Sequence, residues 1–185
     1  MLAPRAAYLS AVATAKADAA PRAYILRYVL FLSLLIAAAA AFSSTGRITV
    51  SQLISLSVSW MFVPVLHVLI AAALVASARP PHAGRYRAIA LLLRGHAPWS
   101  LWLVAGSAAA AIFGYYAWHP MLFAALLPIA LTFRIVHAFC LEVLKTSARG
   151  AAIRTLAHQA VTWLIAVIYL ENAVGLVPRI YGWLS

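Results

Sequence analysis

Carboxylates are scarce in this chain: Asp18, Glu142 and Glu171 are the only three among 185 residues. Hard divalent cations take six or more oxygen ligands, so a calcium or magnesium site has little to draw on. Cysteine is scarcer still. Cys140 stands alone, which excludes an internal disulfide and any CxxC metal or redox spacing. Inside its apolar run it reads as a small packing residue. No HExxH, GxSxG or phosphate-binding loop occurs. His67 and His137 together fall short of the three protein ligands a zinc site wants. The residues therefore nominate no catalytic group, no metal and no cofactor.

Charge of either sign is also thin, at 9%, whereas 66% of the residues are hydrophobic and the mean hydropathy is +0.97. Soluble domains are roughly half apolar and a quarter charged. A chain this short could not hide so much apolar surface from water. The fold class that follows is all-α, a polytopic membrane helix bundle. The net charge of +11 would suit a nucleic-acid binder, but no basic stripe with interleaved aromatics is present. Nucleic acid is excluded as a partner. Anionic lipid headgroups on the cytoplasmic side are the partner expected instead. The Ala- and Arg-rich usage points to a bacterial source and so to the cytoplasmic (inner) membrane.

A span needs about 20 mostly apolar residues, and five runs qualify: about 24–42, 50–78, 99–118, 121–144 and 155–177. Before them lies a basic, Ala-rich arm over residues 1–23, either a surface helix or disordered. After them comes a short tail over 179–185. "LFLSLLIAAAAAFS" has an alternative reading as a signal peptide with an Ala-rich cleavage region. Only His119 and Pro120 separate the third and fourth runs, which predicts a tight hairpin. Eleven Lys and Arg residues fall on alternate sides of the spans against two on the others, with Arg134 left inside a span. Basic loops stay in the cytoplasm, so the N-terminus is expected there and the C-terminus outside. Tyr24, Tyr28, Trp99 and Trp102 then fall at the inner interface, and Tyr115, Tyr116, Trp118, Tyr181 and Trp183 at the outer one.

This layout resembles that of the YIP1-type five-span small membrane proteins, over residues 24–177 and in topology, with no shared motif. The resemblance implies a role in membrane organisation or trafficking. The acidic and aromatic N-terminal sequence of eukaryotic members has no counterpart here, so no functional residue is carried over.

The connection over residues 79–98 is the one sizeable loop. "RPPHAG" breaks a helix, and "RYRAIALLLRG" reads as an interfacial helix with Ile and Leu toward lipid. Arg79, Arg85, Arg87 and Arg94 would then meet headgroups. "GHAP" ends that helix, with Pro98 suited to the first turn of the next.

Polar residues inside the spans demand a partner, a cavity or a task. Counting about 1.5 Å per residue, Arg134 lies about 15 Å deep. His137 shares its face, and His67 lies at nearly the same depth. Glu171, beside Asn172, would sit about 9 Å higher. Arg134 could pair with Glu171, satisfy itself on carbonyls, or hold a lipid phosphate or other anion. Glu142 and His158 fall at matched depth on adjoining spans, with Lys145 able to share the carboxylate. They read as an interfacial clasp or as a pH-sensitive switch. In span two, Ser51, Ser55 and Ser59 make a small polar stripe suited to helix contact. Pro64 should kink that span near Trp60, and Pro128 invites the same reading in span four.

Three function classes fit these features. The first is a non-catalytic adaptor, accessory subunit or membrane-organising protein, alone or in a homo-oligomer or larger membrane complex. The second is a small transporter or channel for an anion or proton using Arg134, His137 and His67. The third is a membrane enzyme that binds lipid headgroups through the same residues.

Overall fold

Apolar runs broken by "SSTGR", "RPPHAG" and "KTS" dictate where helices begin and end in the computed structural model. It describes residues 20–78, 84–96, 101, 105 and 126–174, with the side chains of 43, 44 and 166–174 outside that description. Among the described residues, the regular secondary structure is helical throughout. The elements are α1 (Pro21–Thr45), α2 (Val50–Trp60), α3 (Phe62–Ala76), α4 (Arg85–Gly95), α5 (Leu126–Glu142) and α6 (Ala148–Val174). Span three and the His119–Pro120 turn lie outside the described residues, apart from Leu101 and Ala105.

Pro21 opens α1, where its missing N–H costs nothing. Gly46 closes it with φ +68, and its N–H reaches the Phe42 carbonyl at 2.9 Å. That left-handed cap suits glycine. Three residues later Thr49 starts α2 with a capping box, exchanging bonds with Gln52. The short turn folds α2 back against α1.

Pro64 has no N–H to offer the Trp60 carbonyl. The helix duly breaks at Met61, whose N–H turns to Val58 at 3.4 Å, and α3 resumes at Phe62. Two stretches, Pro21–Phe42 and Val50–Ala76, are long and apolar enough to cross a membrane. Only 22% of an 18-residue window in each is buried within the chain, and the rest is half-buried or exposed. The Ser51, Ser55 and Ser59 stripe is exposed, and the Ser59 hydroxyl bonds its own Ser55 carbonyl at 3.0 Å. Among the described residues the stripe packs against no helix; Ser57 is the α2 serine that turns inward.

The core forms around α4. Ala88, Ile89, Ala90, Leu91, Leu92 and Leu93 are all buried, enclosed by α1, α3 and α5. Ala71 and Val75 of α3, Val136, Phe139 and Cys140 of α5, and Ala151 of α6 complete the cluster. The expectation that Ile and Leu of this helix face lipid is therefore corrected. A surface helix leaves one face covered and one bare, whereas here three helices close on every side.

α6 begins at Ala148, not Thr155. The Ser147 hydroxyl accepts from the Gly150 N–H at 3.2 Å and nucleates the first turn. Arg149 and Arg154 then ride on a helix that an apolar window reads as loop. Lys145, at φ +53, ends α5 in the left-handed region, while the Thr146 N–H and hydroxyl both donate to the Cys140 carbonyl at 3.1 and 2.9 Å.

Arg154 ties α6 to the end of α3. Its Nη2 donates to the Ser77 carbonyl at 2.8 Å and its Nε to the Ser77 hydroxyl at 3.2 Å. The guanidinium thus satisfies one carbonyl at the end of α3 and complements its dipole. Arg154→Ala should cost about 1–2 kcal/mol of stability, measured by denaturant unfolding of the purified chain. Arg154→Lys should recover less than half of that, because an ammonium cannot present the fork.

Candidate functional site

Four helices bring three imidazoles and one phenol together. His67 lies one turn beyond Pro64 on α3, and its Nδ1 is 3.1 Å from the Tyr28 hydroxyl on α1. His96 follows the last residue of α4. The His67 and His96 ring centroids are 5.6 Å apart, and those of His96 and His158, on α6, are 5.5 Å apart. His96 sits in the middle of the row.

Local chemistry fixes how His96 is held. The last carbonyls of a helix lack intrahelical donors, and His96 Nδ1 lies 2.9 Å from one of them, Leu92 O. A carbonyl only accepts, so Nδ1 carries the proton and Nε2 keeps its lone pair. His96 and His158 are 5% and 6% exposed, and His67 is half-buried. Among the described residues, His158 Nδ1 is buried without a hydrogen-bond partner. Burial pushes His96 below its usual range, offset in part by the bond to Leu92.

Of the residues expected at mid-membrane whose side chains are described, only His67 enters this row. Arg134 is exposed and His137 half-buried on α5. Among the described residues, no hydrogen bond, ion pair or ring contact joins either to His67. The reason is helical phase. Val136, Phe139 and Cys140 turn inward together as i, i+3 and i+4. Arg134, two residues before Val136, points the other way.

Glu142 is buried and pairs with Lys145 at 3.8 Å. Among the described residues no hydrogen bond or ion pair joins Glu142 to His158, whose ring meets His96. Thr155 faces Cys140 across the α5–α6 contact, so His158 lies five residues off the level of Glu142, about 7.5 Å along the axis. The same register carries Glu171 about 15 Å beyond Arg134. The side chains of Glu171 and Asn172 lie outside the described residues.

The basic loop takes part in an arrangement that spacing did not reveal. Arg22 of α1 stacks over the Tyr86 ring of α4 at 4.3 Å, and Arg94 of α4 over the Tyr24 ring of α1 at 4.6 Å. Each helix lends the other one cation and one ring. Arg85 is exposed and Arg87 half-buried, while Arg79 lies outside the described residues.

His96 was the residue missed, because "GHAP" reads as a helix stop and nothing more. Its signal was position: a histidine just past a helix end suits the terminal carbonyls. Among the described residues, no group of three His, Cys, Asp or Glu is arranged to hold a metal ion. No family model, curated protein or solved structure matches the chain.

The displaced titration of His96 sets a direction for stability against pH. The unfolded chain takes up a proton near the ordinary value of 6.5, and the folded chain does so only at lower pH. Acid therefore favours the unfolded state. The melting temperature should be level above about pH 7.5 and fall toward about pH 5.5. His96→Asn, which keeps a donor for Leu92, should flatten that fall.

Proposed function

We propose that the chain is a five-span integral membrane protein that acts as a non-catalytic adaptor or accessory subunit. The observation that carries the reading is the gathering of basic connections at one end of the bundle. Arg22 at the start of α1 meets Tyr86, and Arg94 meets Tyr24, while Arg154 near the start of α6 meets Ser77 at the end of α3. Antiparallel spans joined in this order put the start of α1, the start of α4 and the loop before α6 on one flank. That flank is cytoplasmic in the proposal, with the C-terminus outside. Leu26, Phe31, Val50, Ile54, Val58 and Leu164 are large, apolar and at least 60% exposed, which supports hydrocarbon or a partner span around the bundle.

The setting we propose is a bacterial cytoplasmic membrane, with Arg85 and its neighbours against anionic headgroups. A homo-oligomer or a larger complex would use the outward faces of α1 and α2. A membrane-organising task, as the YIP1-type layout implies, belongs to the same proposal. A second reading, conduction of a proton through the bundle, is favoured by the row of Tyr28, His67, His96 and His158.

Accessibility labelling of tags at each terminus in intact cells tests the topology. The C-terminal tag should react from outside and the N-terminal tag only after permeabilisation. Both termini on one side would refute it. For the task itself, proteoliposomes of the purified chain should show no proton flux above that of empty vesicles. A flux abolished by His67→Gln would replace the adaptor with the second reading.

A further inference from the structure

We propose that His67, His96 and His158 form one proton-binding site whose protonation unseats the C-terminal end of α4 from α3 and α6. The three rings meet in a single row, with centroids 5.6 and 5.5 Å apart, and each comes from a different element. Neutral imidazoles pack at that spacing without penalty. A charge on one of them is felt by its neighbours through a poorly solvated interior.

The groups around the row decide what a proton does there. From α1 comes Tyr28, bonded to His67, with Arg27 one residue and Tyr24 one turn nearer the helix start. α3 contributes no titratable side chain besides His67. On α4, Arg94 precedes His96 by two residues, and on α6, Arg154 precedes His158 by one turn. α5 offers the half-buried His137 and the carboxylate Glu142, which carries an ion pair with Lys145 and lies below the level of His158. Among the described residues, cations outnumber anions near the rings. An added proton has a lone pair to share, His96 Nε2, but meets two arginines on the same helices.

The route in is polar. Among the described residues, His158 Nδ1, Gln159 Nε2 and Thr162 Oγ1 are buried without partners within about one turn of α6, and together they offer a water two or three contacts. Relief comes by movement of His96. It stands one residue past α4, so swinging it outward rehydrates the charge and breaks only the bond to Leu92 at 2.9 Å. That bond and the His96 N–H to the Leu93 carbonyl at 3.1 Å cap α4, so loss of the first leaves the helix end held by one bond. At neutral pH α4 stays seated; in acid its last turn lets go.

Hydrogen exchange of the full chain in lipid nanodiscs tests this, with rates corrected for the intrinsic pH dependence of amides. From about pH 7.5 to about pH 5.5, amides 91–96 should lose about tenfold in protection while those of α1 change less than about twofold. The His96→Asn, His158→Gln double variant should hold amides 91–96 within about twofold over the same range. Unchanged protection in the wild-type chain, an equal loss in the double variant, or a uniform loss over all helices overturns the proposal. Histidine-labelled NMR of the wild-type chain needs no variant. A ring of the row must titrate over the range in which α4 loosens, and three rings neutral throughout would refute the site. Zinc that raises α4 protection about tenfold at neutral pH would make the row a metal site and overturn the proton reading.

Discussion

Six consecutive apolar side chains, Ala88 to Leu93, are buried on α4. A helix turns about 100° per residue, so six in a row point to every side and no single flat surface can cover them. Enclosure by α1, α3 and α5 is the arrangement that does. A helix of 11 residues is too short to span a bilayer and too apolar around its middle to lie in water. The longer helices must close over it, and much of the remaining packing follows from that closure.

Polar groups are then pushed to the two ends of α4. At its start Tyr86 receives Arg22, and toward its end Arg94 covers Tyr24. Both contacts let an arginine lie flat on a ring while its edge stays near solvent. His96, just past the helix, has no such outlet. Its Nδ1–H is spent on Leu92 and its ring is pressed between His67 and His158. The same enclosure that stabilises the apolar middle therefore makes the C-terminal end sensitive to protons. Arg154 reinforces the neighbouring end of α3 through Ser77, so the pieces that meet at the histidines are anchored from outside the row.

Helical content, the break at Pro64 and the turn at Gly46 were legible in the residues, because each is a local property of backbone chemistry. So was the presence of two stretches fit to cross a membrane. Helix starts were less legible: α6 begins at Ala148 because Ser147 caps it, and charged residues that mask a span do not break a helix. The site was legible in part. Depth counting found His67, but depth says nothing about rotation. Arg134 and His137 share a face that turns away from the core, while Val136, Phe139 and Cys140 turn inward. The Glu142–His158 clasp failed for a related reason, since an assumed start for α6 set the register wrong. Enclosure of α4 was not legible at all. A run of apolar residues between arginines reads equally as a surface helix or a core helix, and only tertiary contacts separate the two.

Labelling of the chain by a photoreactive probe dissolved in the lipid phase, mapped by residue, tests that enclosure most directly. Leu26, Phe31 and Leu34, exposed on α1, should take up label, and Ile89, Leu92 and Leu93 should remain free of it. Label on those three α4 residues at the density found on α1 would show α4 lying in lipid and contradict the account.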